Sequence, residues 1–251
     1  MKFYHYYCGV VAARLASGIV AVVLAASLGQ ASVAAKPNIV FVLADDMGFG
    51  DVQALNARSK VPTPNLNRLA GQGMAFTDAH SPSAVCTPTR YGALTGRYCW
   101  RTSLTHEVLG TFSPLHIEPT RVNLASLLKA KGYRTAAVGK WHLGYGRENE
   151  DPKWRTDYQA ELSPGPLDIG FDYHFGVPSN HGDLTGVYVE DRFVYGLRDG
   201  GIPSNMKIGG PAADSDDFKA TYGPEDMENG KAKILDLDAP RRKNERVMKV
   251  L

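Results

Sequence analysis

The sequence predicts an α/β fold in which helices flank a mostly parallel central sheet. Apolar runs of strand length alternate with stretches of helical spacing, which is typical of this fold class. Two of the runs lead into glycine-containing loops, DDMGFGD at 45–51 and GKWHLG at 139–144. Loops at the carboxyl ends of parallel strands commonly form the ligand site. We therefore expect the functional residues to lie in these two loops.

The first 35 residues have the pattern of a secretory signal peptide. Lys2 and Arg14 precede an apolar run at 18–30, and small residues at 31–35 suit cleavage after Ala35. The run is short for a bilayer span, and an uncleaved membrane anchor is the alternative. We predict an exported protein, periplasmic or secreted, with no stable membrane span after cleavage and one domain over residues 36–251.

The first strand and helix of that domain are predicted at its N-terminal end. Residues 38–44 (NIVFVLA) form a continuous apolar run, which indicates a strand buried on both faces. Thr63 then caps a helix in which Pro64 is the first residue. Residues 74–79 (MAFTDA) are interpreted as a short second strand.

The next elements continue the alternation. A helix is predicted to begin at Pro88, and Asn123 caps another that ends at Gly132. Residues 133–138 (YRTAAV) form the strand that runs into GKWHLG.

The alternation of strands and helices is not predicted over residues 146–230, which we interpret as a long loop region at the surface. Its one clear element is a hairpin in VYVEDRFVYG (187–196) that turns near Asp191.

Composition limits the classes of function. The 251 residues are 43% hydrophobic and 22% charged, which is ordinary for a globular protein. The formal net charge is only +2, and basic residues are not clustered as a nucleic-acid interface requires. We predict no nucleic-acid partner.

Adjacent carboxylates indicate a cation site. Asp45 and Asp46 follow directly after the predicted buried strand, where uncompensated charges are costly. Carboxylate oxygens suit calcium or magnesium. The alternative is a helix cap or a solvated pair.

Lys140 and His142 are separated by one residue, so both side chains point the same way in an extended segment. A lysine and a histidine at one point suit an anionic substrate and a proton transfer. Trp141 would face the opposite side and pack.

Cys86 is placed just before a predicted helix start, where backbone N–H groups and the helix dipole favour a nucleophile. Arg90, one helical turn later, can reach the same point. The alternative for an exported chain is a disulfide between Cys86 and Cys99.

Four stretches together resemble the type I sulfatases. They are PNIVFVLADDMGFGD (37–51), CTPTR followed by YGALTGRY (86–98), GYRTAAVGKWHLG (132–144) and GFDYHFG (170–176). The resemblance implies the alkaline-phosphatase-like sulfatase fold and sulfuric ester hydrolysis. The cysteine of Cys-x-Pro-x-Arg is converted to formylglycine in this family, so the resemblance implies a formylglycine-generating enzyme as a partner.

The resemblance also implies roles for individual residues. One hydroxyl of the hydrated aldehyde at Cys86 attacks the sulfur, and the other allows the sulfate to be eliminated. Calcium, or magnesium, is held by Asp45, Asp46 and residue 86. Arg90 holds the hydrated aldehyde. Lys140 binds the sulfate, His142 stabilises the diol or relays a proton, and Asn180 or His181 contacts the substrate.

Two departures from the family pattern stand out. Thr89 occupies a position where many members have serine. The family also places a further Asp-Asn pair and a second lysine beyond residue 251. The resemblance therefore implies the N-terminal part of a sulfatase, with an impaired or inactive 251-residue chain. The substrate is a sulfated small molecule or a sulfated glycan. Alternatives are a phosphate or phosphonate ester hydrolase of the same fold, and a secreted fragment that binds anions or glycans without catalysis.

Overall fold

The computed structural model describes residues 35–148, 156–180 and 185–195, and the backbone of two further short strands. The chain divides into two units, residues 1–44 and 45–251. The predicted signal peptide lies almost entirely outside the described residues. No described helix is long and apolar enough to cross a bilayer.

The second unit contains every helix and strand of the described residues. The helices are α1 (Pro64–Gln72), α2 (Cys86–Thr95) and α3 (Leu124–Ala130). Short 3₁₀ turns occur at Phe49–Asp51, Cys99–Arg101 and Pro166–Ile169. The strands are β1 (Ala136–Lys140), β2 (Tyr173–Val177), β3 (Val189–Glu190), β4 (Phe193–Val194), β5 (Ala220–Thr221) and β6 (Asp236–Leu237).

The main sheet has the order β1-β2-β3-β4. β1 and β2 are parallel, whereas β2–β3 and β3–β4 are antiparallel. The α/β class is confirmed, and the described part of the sheet is mixed. The predicted hairpin is confirmed as β3–β4, with Asp191 in the left-handed region at φ 52°. β5 and β6 pair with each other as a separate two-stranded sheet.

Residues that start or cap helices in the sequence predict the helix starts to within two residues. Pro64 is the first residue of α1, as predicted, but the side chain of Thr63 before it makes no capping hydrogen bond. α2 begins two residues before the predicted Pro88, at Cys86. The Asn123 side chain accepts hydrogen bonds from the backbone N–H groups of Ala125 and Ser126, which caps α3.

Two predicted strands are wrong. Residues 38–44 and 74–79 are in no strand, and Val40 and Val42 are 85% and 83% exposed. An apolar run indicates that a segment tends to be buried. A strand also needs a neighbouring strand to pair its backbone N–H and C=O groups. The strand predicted at 133–138 exists three residues later, as β1.

An aromatic core fixes the loop that follows β1. Trp141 and Tyr145 are buried in this core, as is Leu143 between them. The Trp141 indole N–H donates to the carbonyl of Gly144, 2.8 Å away, and its ring meets Phe171 edge-on. The prediction that Trp141 packs inward is confirmed. The residues on either side of it, Lys140 and His142, are thereby held in place.

Candidate active site

Helix α2 presents Cys86 and Arg90. Val85 is the extended N-cap residue, and Cys86 is the first helical residue, partly exposed. Tyr91, on the other side of the helix, is fully buried in the core. The helix is therefore anchored by one face, and the face that carries Cys86 and Arg90, one turn apart, is turned toward the end of β1.

The Lys140 ammonium group is the centre of the site. Lys140 is the last residue of β1, and its side chain is 11% exposed. Its Nζ lies 2.9 Å from Asp45 Oδ2, 3.1 Å from Cys86 Sγ and 2.6 Å from Asn180 Oδ1. An ammonium group has three donors, and these three contacts account for all of them.

Arg90 joins the same group of residues from the helix. Its Nη2 donates to Asp45 Oδ1 at 3.0 Å, and its Nη1 donates to the carbonyl oxygen of Lys140. Asp45 thus meets one cation at each carboxylate oxygen. Partial burial of Asp45 opposes its ionisation, but the hydrogen bonds from Lys140 and Arg90 outweigh this and hold the pKa of the carboxyl group below its ordinary value.

Asp45, Asp46 and Cys86 form the one group of potential metal ligands found among the described residues. Each offers one ligand atom, and these atoms all lie within 4.8 Å of one another. Asp46 has a positive φ of 56°, which an aspartate tolerates better than most residues. The two carboxylates suit a hard cation such as calcium, whereas the Cys86 thiol in its unmodified form is a soft ligand.

His142 is buried beside these charges. It is 2% exposed, and its Nε2 lies 2.9 Å from the carbonyl oxygen of Leu109. Burial is the main cause that lowers the pKa of His142, and the positive charges of Lys140 and Arg90 act in the same direction. The imidazole is therefore neutral near pH 7, with Nε2 carrying the proton, since a carbonyl oxygen only accepts.

The structure brings together most of the predicted site residues. Asn180 contacts Lys140, while His181 lies outside the described residues. The sequence interpretation missed Thr87 and Leu109, which hydrogen-bond to His142. Thr87 stands inside the CTPTR motif, but nothing in its spacing indicates where its hydroxyl points. No signal in the sequence marks Leu109.

The alternative of a disulfide between Cys86 and Cys99 is not realised. Both cysteines are free thiols, with Cys99 buried. Cys86 begins the ten-residue α2 and Cys99 follows its end.

Comparison with known proteins gives a consistent result. N-acetylgalactosamine-6-O-sulfatase of Bacteroides thetaiotaomicron is 46% identical over 162 residues, which cover 64% of this chain and 30% of the relative. Human arylsulfatase A is 40% identical over 158 residues, covering 63% of this chain and 28% of the relative. The matched region thus spans less than a third of either curated relative.

A solved structure agrees with these relatives. It comes from work on the metabolism of multiple glycosaminoglycans by Bacteroides thetaiotaomicron, and it is similar with a TM-score of 0.66 and 35% identity. The similarity covers 86% of this chain and 46% of that one, which supports the sulfatase fold. The sulfatase family model matches residues 37–193, more than half of the chain. The chain therefore belongs to the sulfatase family.

Proposed function

We propose that this chain hydrolyses sulfate esters, with residue 86 as the nucleophile after conversion of Cys86 to formylglycine. The observation that carries the proposal is the Lys140 ammonium group, which lies within 3.1 Å of Asp45, Cys86 and Asn180. A cation beside a nucleophile position and a carboxylate pair suits a reaction at a tetrahedral anion. Family membership supports sulfate rather than phosphate as that anion.

The donor set fits a calcium ion, with magnesium as the second choice. Asp45, Asp46 and residue 86 would hold it, with Cys86 Sγ standing in for an oxygen of the hydrated formylglycine, because these ligand atoms already lie within 4.8 Å of one another. Asp45 would share its oxygens between the ion and the two cationic side chains. A bound calcium ion would supply positive charge for the sulfate oxygens and favour the ionised form of the nucleophile. Calcium usually takes six to eight oxygen ligands, so three protein ligands make part of a site.

The remaining residues have separate tasks in this proposal. Lys140 binds a sulfate oxygen, and Arg90 orients residue 86. His142 holds or accepts a proton at its ring nitrogen, which its neutral form allows. Asn180 fixes the Lys140 ammonium group and contacts the substrate, as His181 is also proposed to do. Lys140, Arg90, Asp45 and Asp46 carry formal charges that sum to zero, so a divalent cation can enter together with a singly charged sulfate ester and an ionised nucleophile without a net charge being buried.

We propose a sulfated glycan as the substrate. The support is the relative of 46% identity, whose name gives N-acetylgalactosamine 6-O-sulfate as its substrate. Export through a signal peptide at 1–35 and conversion of Cys86 by a formylglycine-generating enzyme are parts of the same proposal.

Peptide mass mapping and a substrate panel test the proposal together. We expect an aldehyde at residue 86 in the tryptic peptide that ends at Arg90, when the chain is produced in its native host. We also expect calcium-dependent sulfate release from an aryl sulfate and from 6-sulfated N-acetylgalactosamine, at a low rate for these 251 residues because the three described ligands make only part of a calcium site. Cys86→Ala is the control and should release none. An intact thiol at Cys86 together with no sulfate release, or a preference for the matching aryl phosphate, would contradict the proposal.

A further inference from the structure

We infer that Thr87 and the peptide group of Leu109 position His142 and fix its tautomer, leaving Nδ1 as the proton acceptor of the site. This inference rests on the proposed function for its catalytic meaning. Its geometry is independent of that function. Thr87 is a positioning residue, since it acts through His142 and not on the substrate.

The Thr87 hydroxyl joins two distant backbone segments. Thr87 is fully buried, and its Oγ1 donates to the carbonyl oxygen of His142 at 3.0 Å. The same oxygen accepts from the backbone N–H of Leu109 at 3.2 Å. A hydroxyl can do both at once. If it were removed, a buried donor and a buried acceptor would be left without a partner.

The carbonyl group of Leu109 completes the arrangement. It accepts from Nε2 of the His142 ring at 2.9 Å, while its N–H is held by Thr87. Three hydrogen bonds therefore link Thr87, Leu109 and His142 in a closed ring, which we call the histidine clip. Because the Leu109 carbonyl can only accept, the clip requires the proton on Nε2.

The other ring nitrogen is left with its lone pair. Nδ1 of His142 is buried and has no hydrogen-bond partner among the described residues. A buried nitrogen without a partner is costly, which is expected at a position kept for a reacting group. Lys140, Arg90 and Asp45 all interact electrostatically with this ring, so the imidazole lies within the charged surroundings of the site.

The backbone of His142 gives a second reason for the clip. His142 has a φ of 54°, in the left-handed region that is unfavourable for a residue with a large side chain. Such a conformation persists when surrounding contacts impose it. The bond from Thr87 to the His142 carbonyl and the bond from the His142 N–H to the carbonyl of Pro178, at 2.9 Å, hold the backbone on both sides.

Nitrogen NMR of the full chain, labelled with ¹⁵N-histidine, reads the tautomer directly. We expect the wild type to show His142 protonated at Nε2 only, with the signal assigned from its loss in His142→Gln. Thr87→Ser keeps the hydroxyl and should keep this pattern. Thr87→Val should give exchange between the two tautomers and faster hydrogen exchange of the Leu109 amide. Thr95→Val removes a hydroxyl from the same helix and should change neither signal.

Kinetics on chains matched for formylglycine content supply the second readout. Thr87→Val should lower kcat by at least about tenfold with little change in KM, as expected when a proton acceptor is mispositioned. Thr87→Ser should restore kcat to within about twofold of the wild type.

The outcomes separate the two proposals. A wild-type His142 protonated at Nδ1 overturns the clip even if Thr87→Val does not fold, and so does a Thr87→Val spectrum identical to the wild type. If the wild type shows the Nε2 tautomer and responds to Thr87 but releases no sulfate, the clip stands and the proposed function fails.

Discussion

Asp45 is the residue on which the electrostatics of the site depend. Both of its oxygens are engaged by cations, Arg90 at 3.0 Å and Lys140 at 2.9 Å. Those side chains are 12% and 11% exposed, so removal of their shared counter-ion would leave two largely buried positive charges uncompensated.

We expect Asp45→Asn to weaken calcium binding at least about tenfold, because it removes one of two carboxylate ligands and exposes the ion to Lys140 and Arg90. Isothermal titration calorimetry with calcium chloride measures the change. Asp78→Asn is the control, since it removes the same charge from a side chain that is 92% exposed and pairs with His80. Equal affinities for the two variants would show that Asp45 is not a ligand.

Asn123 combines two functions in one side chain. Its Oδ1 caps α3, and its Nδ2 donates to the buried carbonyl of Ile169 at 2.7 Å. We expect Asn123→Ala to lower the free energy of unfolding by about 2–4 kcal/mol, the sum of a lost cap and an unsatisfied carbonyl. Asn123→Ser keeps a capping oxygen and should lose about half as much. Urea unfolding checks both variants, and equal losses would mean that only the bond to Ile169 matters.

At the scale of elements, the contact between β1 and β2 depends on two glycines in register. Gly139 is paired with Gly176, and a Cβ atom on Gly176 would overlap the carbonyl oxygen of Gly139. Gly139 itself has a φ of 109°, a conformation that favours glycine. The strand that ends in Lys140 is therefore placed by a close backbone approach.

We expect Gly176→Ala to destabilise the protein by about 3 kcal/mol or more, because the clash is with backbone that cannot rotate away. Gly71→Ala is the matched control. A Cβ atom there meets nothing within 4 Å, and alanine in α1 should be neutral or stabilising by up to about 1 kcal/mol. Thermal unfolding of both variants makes the comparison, and a Gly176→Ala protein as stable as Gly71→Ala would contradict the role of this approach.

Elements whose signal is local were predictable from the sequence. The Asn123 cap and the turn at Asp191 are where their sequences place them, because the residues that stabilise each element lie within a few positions of it. The strand proposed at 38–44 depends on a partner far along the chain. Apolar composition carries no information about that partner, which is why this prediction failed.

At the scale of the whole molecule, the site joins residues that are far apart in sequence. Asp45 and Lys140 are 95 positions apart and lie 2.9 Å from each other. The expectation that loops at strand ends converge on one place located Lys140 at the end of β1, whereas Asp45 joins the site without a strand before it. It did not reveal that Lys140 also contacts Cys86 or that Thr87 reaches His142, because these contacts depend on the rotation of α2 about its axis.

Stability of the whole molecule is linked to pH through His174. Its ring is almost completely buried in the core, with Nδ1 3.2 Å from the Ala137 carbonyl and Nε2 3.0 Å from the Tyr145 hydroxyl. This pattern satisfies a neutral imidazole. Burial lowers the pKa of His174 to about 4, and the bond to Ala137 opposes this only in part. The unfolded chain, with an ordinary histidine pKa of about 6.5, therefore binds more protons below that pH.

The free energy of unfolding should consequently fall by about 2 kcal/mol from this group as the pH decreases from about 7 to about 5, and continue to fall until about pH 4. Above about pH 7 both states are neutral at this position, and His174 contributes no slope. Urea unfolding at several pH values measures the total change in the free energy of unfolding with pH, to which other titratable groups also contribute. His174→Gln does not titrate, so the wild-type slope minus the variant slope isolates the histidine. If the two slopes coincide between pH 7 and 5, His174 is protonated in the folded protein as readily as in the unfolded chain, and its burial does not control the acid sensitivity of the fold.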